Sequence, residues 1–199
     1  MTLRLLGNLK RGLIFIVSAP AGTGKTTLIN LLTQEFPCVL QSISYTTRAP
    51  RQNEIHGVHY FFITREEFEK KIAEHAFLEY VQLYGDYYGT SKEWVRTHQD
   101  AGNHIVLVID TQGALQLMGK SEATYIFLAP PSLDKLKERL RKRKSETENS
   151  LELRLAISEK ELQAACFYDY KIINDDLQTA YQALRSIFIA EEHRAGIKN

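Results

Sequence analysis

Only two cysteines occur in the 199 residues, Cys38 and Cys166, and they lie too far apart to make a CxxC pair. No disulfide framework is in evidence, and the two suit small apolar residues in a reducing compartment. Charge of one sign is equally scarce, because 25 Lys and Arg stand against 24 Asp and Glu for a formal net charge of +1. Such a chain does not bind anions through overall basicity, so any anion site must come from a local cluster. Long apolar runs are lacking too. Leu13 to Val17, near the basic N-terminus, has five residues, too few for a signal-peptide core or a membrane span. A cytoplasmic protein is the expectation. With 44% hydrophobic and 25% charged residues, the length suits one domain with room for an inserted subdomain.

What is present centres on Ser18-Ala19-Pro20-Ala21-Gly22-Thr23-Gly24-Lys25-Thr26-Thr27, between the apolar run Leu13 to Val17 and the helix-like run Leu28 to Leu32. Strand, glycine-bearing turn and helix in that order bring backbone N–H groups and a helix N-terminus onto one anion, which is the design of a nucleotide-phosphate loop. The strict pattern places glycine six residues before the lysine, where Ala19 stands. A plain strand-to-helix turn would leave Lys25 and the paired threonines unexplained.

Downstream, Val39 to Arg51 reads as a strand leading into a loop with Arg48 and Arg51. The pair is either surface charge or a bidentate seat for a phosphate dianion. His56 and His59 precede a strand and have no third ligand at metal spacing, so they read as ordinary polar residues. Thr64 with Glu67 forms a capping box, and Thr90 with Glu93 forms a second one. In the strand 77–84, Phe77, Glu79, Val81 and Leu83 share a face, so Glu79 is either paired in an apolar setting or at a solvated edge. His104 to Ile109 is continuously apolar, as suits a parallel strand covered on both faces, and Asp110 at its carboxyl end is either a magnesium partner or a turn residue. Seven of the ten residues from Lys135 to Lys144 are basic. That run is a solvated face, an RNA-binding patch or a lid over phosphates, and the near-zero net charge favours the lid. The alternation of strands and helices predicts an α/β fold, a doubly wound parallel sheet built on a P-loop, interrupted by an inserted β-rich subdomain.

At this point the chain resembles the guanylate kinases over almost its whole length. The resemblance rests on the phosphate loop, Ser44-Tyr45-Thr46-Thr47-Arg48-Ala49-Pro50-Arg51, Gly57 to Phe62, Phe77-Leu78-Glu79, Tyr87-Tyr88-Gly89-Thr90, Asp110-Thr111-Gln112-Gly113 and Ile173-Asn174-Asp175-Asp176. It implies a core (1–37, 93–137 and 160–199), a GMP-binding insertion (38–92) and a helical lid (about 138–159). Carried onto these positions, it implies ATP at residues 19–27 (Ala19, Pro20, Ala21, Gly22, Thr23, Gly24, Lys25, Thr26 and Thr27) with Asn174 and Asp175. GMP is implied at Ser44, Arg48, Arg51, Tyr60, Glu79, Tyr88, Gly89 and Thr90. Lys25, Arg48, Arg139, Arg143 and Arg154 are implied to serve transfer, and Thr26 and Asp110 to serve Mg2+. The partners implied are ATP and GMP, with neither nucleic acid nor membrane. Two positions depart from the family pattern: Val108 replaces an acid, and Lys144 replaces a lid glycine. A protein-binding module without turnover, or a kinase for another phosphorylated substrate, are the competing readings.

Overall fold

The computed structural model describes residues 4–141 and 148–196. In chain order the elements are β1 (Ile14–Ser18), α1 (Lys25–Glu35), β2 (Val39–Gln41), β3 (Tyr45–Thr46), β4 (Phe61–Phe62), α2 (Arg65–Ala73), β5 (Phe77–Leu83), β6 (Asp86–Ser91), α3 (Lys92–Asp100), β7 (His104–Val108), α4 (Thr111–Leu117), β8 (Thr124–Ala129), α5 (Leu133–Arg141), α6 (Glu148–Gln163), β9 (Tyr170–Ile173) and α7 (Leu177–Glu192). Five strands form a parallel sheet in the order β2-β7-β1-β8-β9. Residues alternate between its two faces. Phe15 and Val17 pack with Leu28, Leu32, Leu184 and Phe188 of α1 and α7. Ile14 and Ile16 pack with Val95 and Leu117 of α3 and α4. Both faces are covered, which is why these strands are apolar throughout.

A second sheet of four strands runs β4-β3-β6-β5. Its longest hairpin, β5 to β6, turns at Tyr84 (φ 55°) and Gly85 (φ 90°), the left-handed pair that matches the twist of two-residue hairpins. The sequence suggests an insertion beginning at residue 38, and here the structure differs. Val39–Gln41 belong to the core sheet, paired in parallel with His104–Val106, and the second sheet opens only at Tyr45. One run of strand-like residues is therefore divided between two sheets, because Val39 is pulled into the α1/α7 core while Tyr45 pairs with Gly89. The cap of α3 also moves by one residue. Ser91, not Thr90, accepts the N–H of Trp94, since the Thr90 hydroxyl is committed elsewhere. The expected lid boundaries fall inside α5 and α6 rather than at their ends.

One buried polar knot ties three parts of the core together. His104, fully buried at the start of β7, accepts the Leu13 N–H on Nδ1 and so carries its proton on Nε2, which donates to Glu192 at 2.5 Å. Glu192 also accepts from the N–H groups of Gly7 (2.6 Å) and Asn8 (2.9 Å). Burial lowers the His104 pKa although Glu192 pulls it upward. Burial opposes ionisation of Glu192, yet the Gly7 and Asn8 donors hold its carboxyl below the usual range. Both shifts are depressions, so the stability they confer is complete above the unfolded pKa values and is lost as pH falls. The melting temperature should hold above about pH 7 and fall below about pH 6.5, the unperturbed histidine value. His104→Gln keeps a donor toward Glu192 without a titrating ring and should lose less over that range. An equal loss in both proteins would exclude His104 as the cause.

Candidate functional site

The loop after β1 is built by its glycines and by one distant asparagine. Gly22 (φ 88°) and Gly24 (φ 93°) adopt left-handed backbone, and Gly24 caps α1. A Cβ on Gly24 would lie 2.6 Å from the Asn174 amide nitrogen, which donates to the Thr23 carbonyl at 2.6 Å. Thr23 directs both its N–H (3.3 Å) and its hydroxyl (2.7 Å) at the Pro20 carbonyl. Ala19, where the strict pattern has glycine, is buried and not left-handed, so it needs no glycine. Its carbonyl receives the Lys25 ammonium at 3.1 Å. Burial lowers the Lys25 pKa, while the carboxylates of Glu161 and Asp110 pull it back up. No acid occupies the first turn of α1, so its positive end stays available to an anion. Thr26 and Thr27 are exposed along that turn, as is Ala21 in the loop before it.

Opposite this loop lies Glu79 on β5. It is only 4% exposed, so of the two readings the buried one holds. The Thr90 hydroxyl donates to its Oε1 at 2.6 Å, which is the commitment that removes Thr90 from capping α3. A Cβ on Gly113 would come within 2.7 Å of Oε2, so the absence of a side chain there lets the carboxylate rest against the start of α4. Burial raises the Glu79 pKa to about 7, helped by Asp110 and opposed by the Thr90 hydrogen bonds. Gly89 is required by the Phe68 and Phe77 rings, each 3.0 Å from where its Cβ would stand.

One cleft of about 850 Å³ joins the two ends. Lys25 and Thr26 line one side, Ser44, Tyr60, Glu79, Tyr88 and Gly89 the other, and Val108 and Asp110 lie between. Val108 therefore gives this wall an apolar surface where the family pattern has an acid. Asp110 accepts the Gly113 N–H at 2.7 Å and so caps α4, which makes it a turn residue as well as a cleft residue. Burial raises its pKa against the Gly113 hydrogen bond and the Lys25 charge. Among the described residues no three His, Cys, Asp or Glu are grouped to hold a metal unaided. A hydroxyl (Thr26) and a carboxylate (Asp110) on one cleft still suit a hard cation that keeps water and phosphate ligands.

The predicted arginines are arranged less simply. Arg48 is tied to Glu54, Arg51 is exposed, and neither forms part of the cleft wall. Arg139 on α5 donates to the carbonyls of Asn174 (3.0 Å) and Asp175 (3.5 Å) and is not part of the cleft wall. Arg154 is half-buried on α6 and is likewise absent from the cleft wall. Arg143 and Lys144 lie outside the described residues. His56 and His59 accept the N–H groups of Phe62 and Ile55 and serve as loop anchors. Two acids escaped the reading by sequence: Glu54, which lines the cleft, and Glu161, whose charge acts on Lys25. The only signal for Glu54 was its position three residues after Arg51 in a turn.

Comparison with known proteins follows the same lines. The family model described as guanylate kinase matches residues 11–191. A guanylate kinase of Protochlamydia amoebophila (strain UWE25) is 64% identical over 192 residues, covering 96% of this chain and 98% of that protein. One from Chlamydia muridarum (strain MoPn / Nigg) is 49% identical over 182 residues, covering 91% and 89%. The crystal structure of guanylate kinase from Anaplasma phagocytophilum superposes with a TM-score of 0.76 at 29% identity, covering 93% of this chain and 88% of that one. With its parallel core, phosphate loop and second sheet joined by one cleft, the chain belongs to the guanylate kinase family, the ATP:GMP phosphotransferases.

Proposed function

We propose that the protein transfers the γ-phosphoryl group of ATP to GMP and dGMP with Mg2+, giving ADP and the nucleoside diphosphate, as a purine-nucleotide recycling enzyme of the cytoplasm. The observation that carries this reading is the single cleft with the Lys25 ammonium at one end and the buried Glu79 carboxylate at the other. Donor phosphates rest on the N–H groups of the loop from Ala19 to Thr27, with Lys25 reaching the β/γ-phosphates. Asn174 acts by holding the Thr23 carbonyl and Asp175 by offering its backbone carbonyl to Arg139, rather than through a charge. Mg2+ would sit with the Thr26 hydroxyl and, through water, Asp110, and when bound it supplies charge neutralisation for the transferring group.

The acceptor end reads the base. Guanine presents N1–H and the 2-amino group as neighbouring donors, which one carboxylate accepts together. Adenine presents an acceptor at N1 and would face Glu79 with repulsion. A buried polar site of this kind discriminates by about 10⁴, because the wrong base leaves its groups unpaired. Ser44, Tyr60, Tyr88 and Gly89 complete the acceptor wall, Thr90 serves it through its hydrogen bond to Glu79, and Arg48 and Arg51 bind its phosphate. The nucleophile is a GMP phosphate oxygen that is already ionised, so no general base is needed. Arg139, Arg143 and Arg154 close toward the transferring group and stabilise its developing charge. For Arg139 this requires exchanging two carbonyl partners for phosphate, a swap of neutral for charge-assisted hydrogen bonds.

Steady-state assays of ADP release with Mg-ATP and GMP, dGMP, AMP, CMP or UMP test the reading, and turnover confined to the guanine nucleotides is expected. No turnover with GMP would leave a binding module as the alternative. Lys25→Ala should lower kcat by at least about 10², the scale of one lost electrostatic contact. Glu79→Gln should reduce the GMP/AMP preference, and an unchanged preference would remove Glu79 from base recognition. The pH profile carries a further sign. Glu79 binds guanine as a carboxylate, and its pKa of about 7 means that protonation competes with GMP. The kcat/KM for GMP should therefore fall as pH drops below about 7, and Glu79→Gln should flatten that limb.

A further inference from the structure

Two arginines and one acid form a closed unit at the acceptor end of the cleft. The Arg48 Nη2 donates to both oxygens of Glu54 at 2.9 Å, with the two side chains only 16% and 17% exposed. The Arg48 Nη1 donates to the Ala49 carbonyl at 2.6 Å, and the guanidinium lies 5.6 Å from the centre of the Tyr60 ring. Glu54 and Tyr88 nearby both favour its charged form against the cost of burial. Glu54 does not serve Arg48 alone. Its Oε2 accepts the backbone N–H of Arg51 at 2.7 Å, and its own N–H donates to the Arg51 carbonyl at 3.0 Å. This reciprocal pair closes the turn from Arg51 to Glu54. Glu54, Tyr60 and Tyr88 all line the cleft, and Arg48 is in contact with the first two.

We propose that Glu54 is a positioning residue of the acceptor-phosphate seat, holding the Arg48 side chain and the Arg51 backbone so that both arginines meet the phosphate of GMP together. The proposal rests on the assignment of these arginines to that phosphate. The physical grounds are local. A guanidinium buried to this degree is costly without a counter-charge, and a flexible arginine must be fixed before a phosphate can gain from its fork geometry. Glu54 supplies the counter-charge and closes the turn with one side chain. Two cations against one anion still leave the seat with a net positive charge for a dianion. Phosphate therefore joins an arrangement that is already built and does not have to order it.

The test is steady-state kinetics of Glu54→Gln, with the melting temperature measured alongside. KM for GMP should rise on the order of 10-fold or more, as when one partner of a buried charge pair is truncated. KM for ATP should stay near its original value, and kcat should change less than KM. Guanosine, which has the base and ribose but no phosphate, should inhibit with an unchanged constant. A purely structural role would move guanosine as well. An unchanged GMP KM, a lowered one, or an equal weakening of guanosine would each overturn the proposal, the lowered value marking Glu54 as an internal competitor. If Glu54→Gln does not fold, Glu54→Asp carries the same comparison, with a smaller rise expected. Arg48→Ala separates the two levels. If it leaves GMP KM unchanged, the assignment of Arg48 fails. If it raises GMP KM while Glu54→Gln does not, only the role of Glu54 fails.

Discussion

The hydrogen bond from Thr90 to Glu79 is the contact on which the two halves of the molecule depend. A carboxylate that is 4% exposed is expensive to bury, and one strong donor at 2.6 Å does not fully compensate it, as its pKa of about 7 indicates. On the proposed function, the guanine donors would supply the remainder. Three elements have to agree for this to exist. β5 carries the acid, β6 brings Thr90 beside it, and the start of α4 makes room through Gly113. The second sheet is thereby seated on the core at the point where the core strands end, which is where open α/β sheets bind their ligands.

The same economy governs the rest of the cleft. The chain is almost neutral, and Lys25 in the cleft and Arg48 and Arg139 outside its wall each have a partner. Lys25 feels Glu161 and Asp110, Arg48 is held by Glu54, and Arg139 rests on two carbonyls. Each partner satisfies a buried or half-buried cation without cancelling the local field. On the proposed function, nucleotide phosphates would replace or join these partners, so that folding rather than binding meets the cost of ordering the cations.

Much of this was legible in the residues. Ile14 to Ser18 and His104 to Val108 announce buried parallel strands because both faces are covered, and Gly22-Thr23-Gly24-Lys25 announces the loop because its backbone must go left-handed twice. Glu79 was legible as a conflict between an acid and an apolar face, although its burial was not. What stayed hidden depends on long-range pairing. The split of residues 39–46 between two sheets, the loss of Thr90 as a cap and the bond from Asn174 to Thr23 all join positions far apart in sequence. Glu54 was overlooked for a different reason: an acid near two arginines on a polar loop has the same local pattern whether it is solvated or organises a site. The departure at Ala19 needed no compensation, because that position never takes a glycine-only conformation.

If donor and acceptor sites are two ends of one continuous cleft, a single molecule should be able to fill both. Adenosine and guanosine joined through their 5′ oxygens by five phosphates is the direct probe, measured by calorimetry with Mg2+ beside ATP and GMP alone. Linking the two halves makes the second contact intramolecular, so the joined ligand should bind at least about 100-fold more tightly than GMP. Binding no tighter than the better of the two single nucleotides would contradict a shared cleft, whatever the turnover.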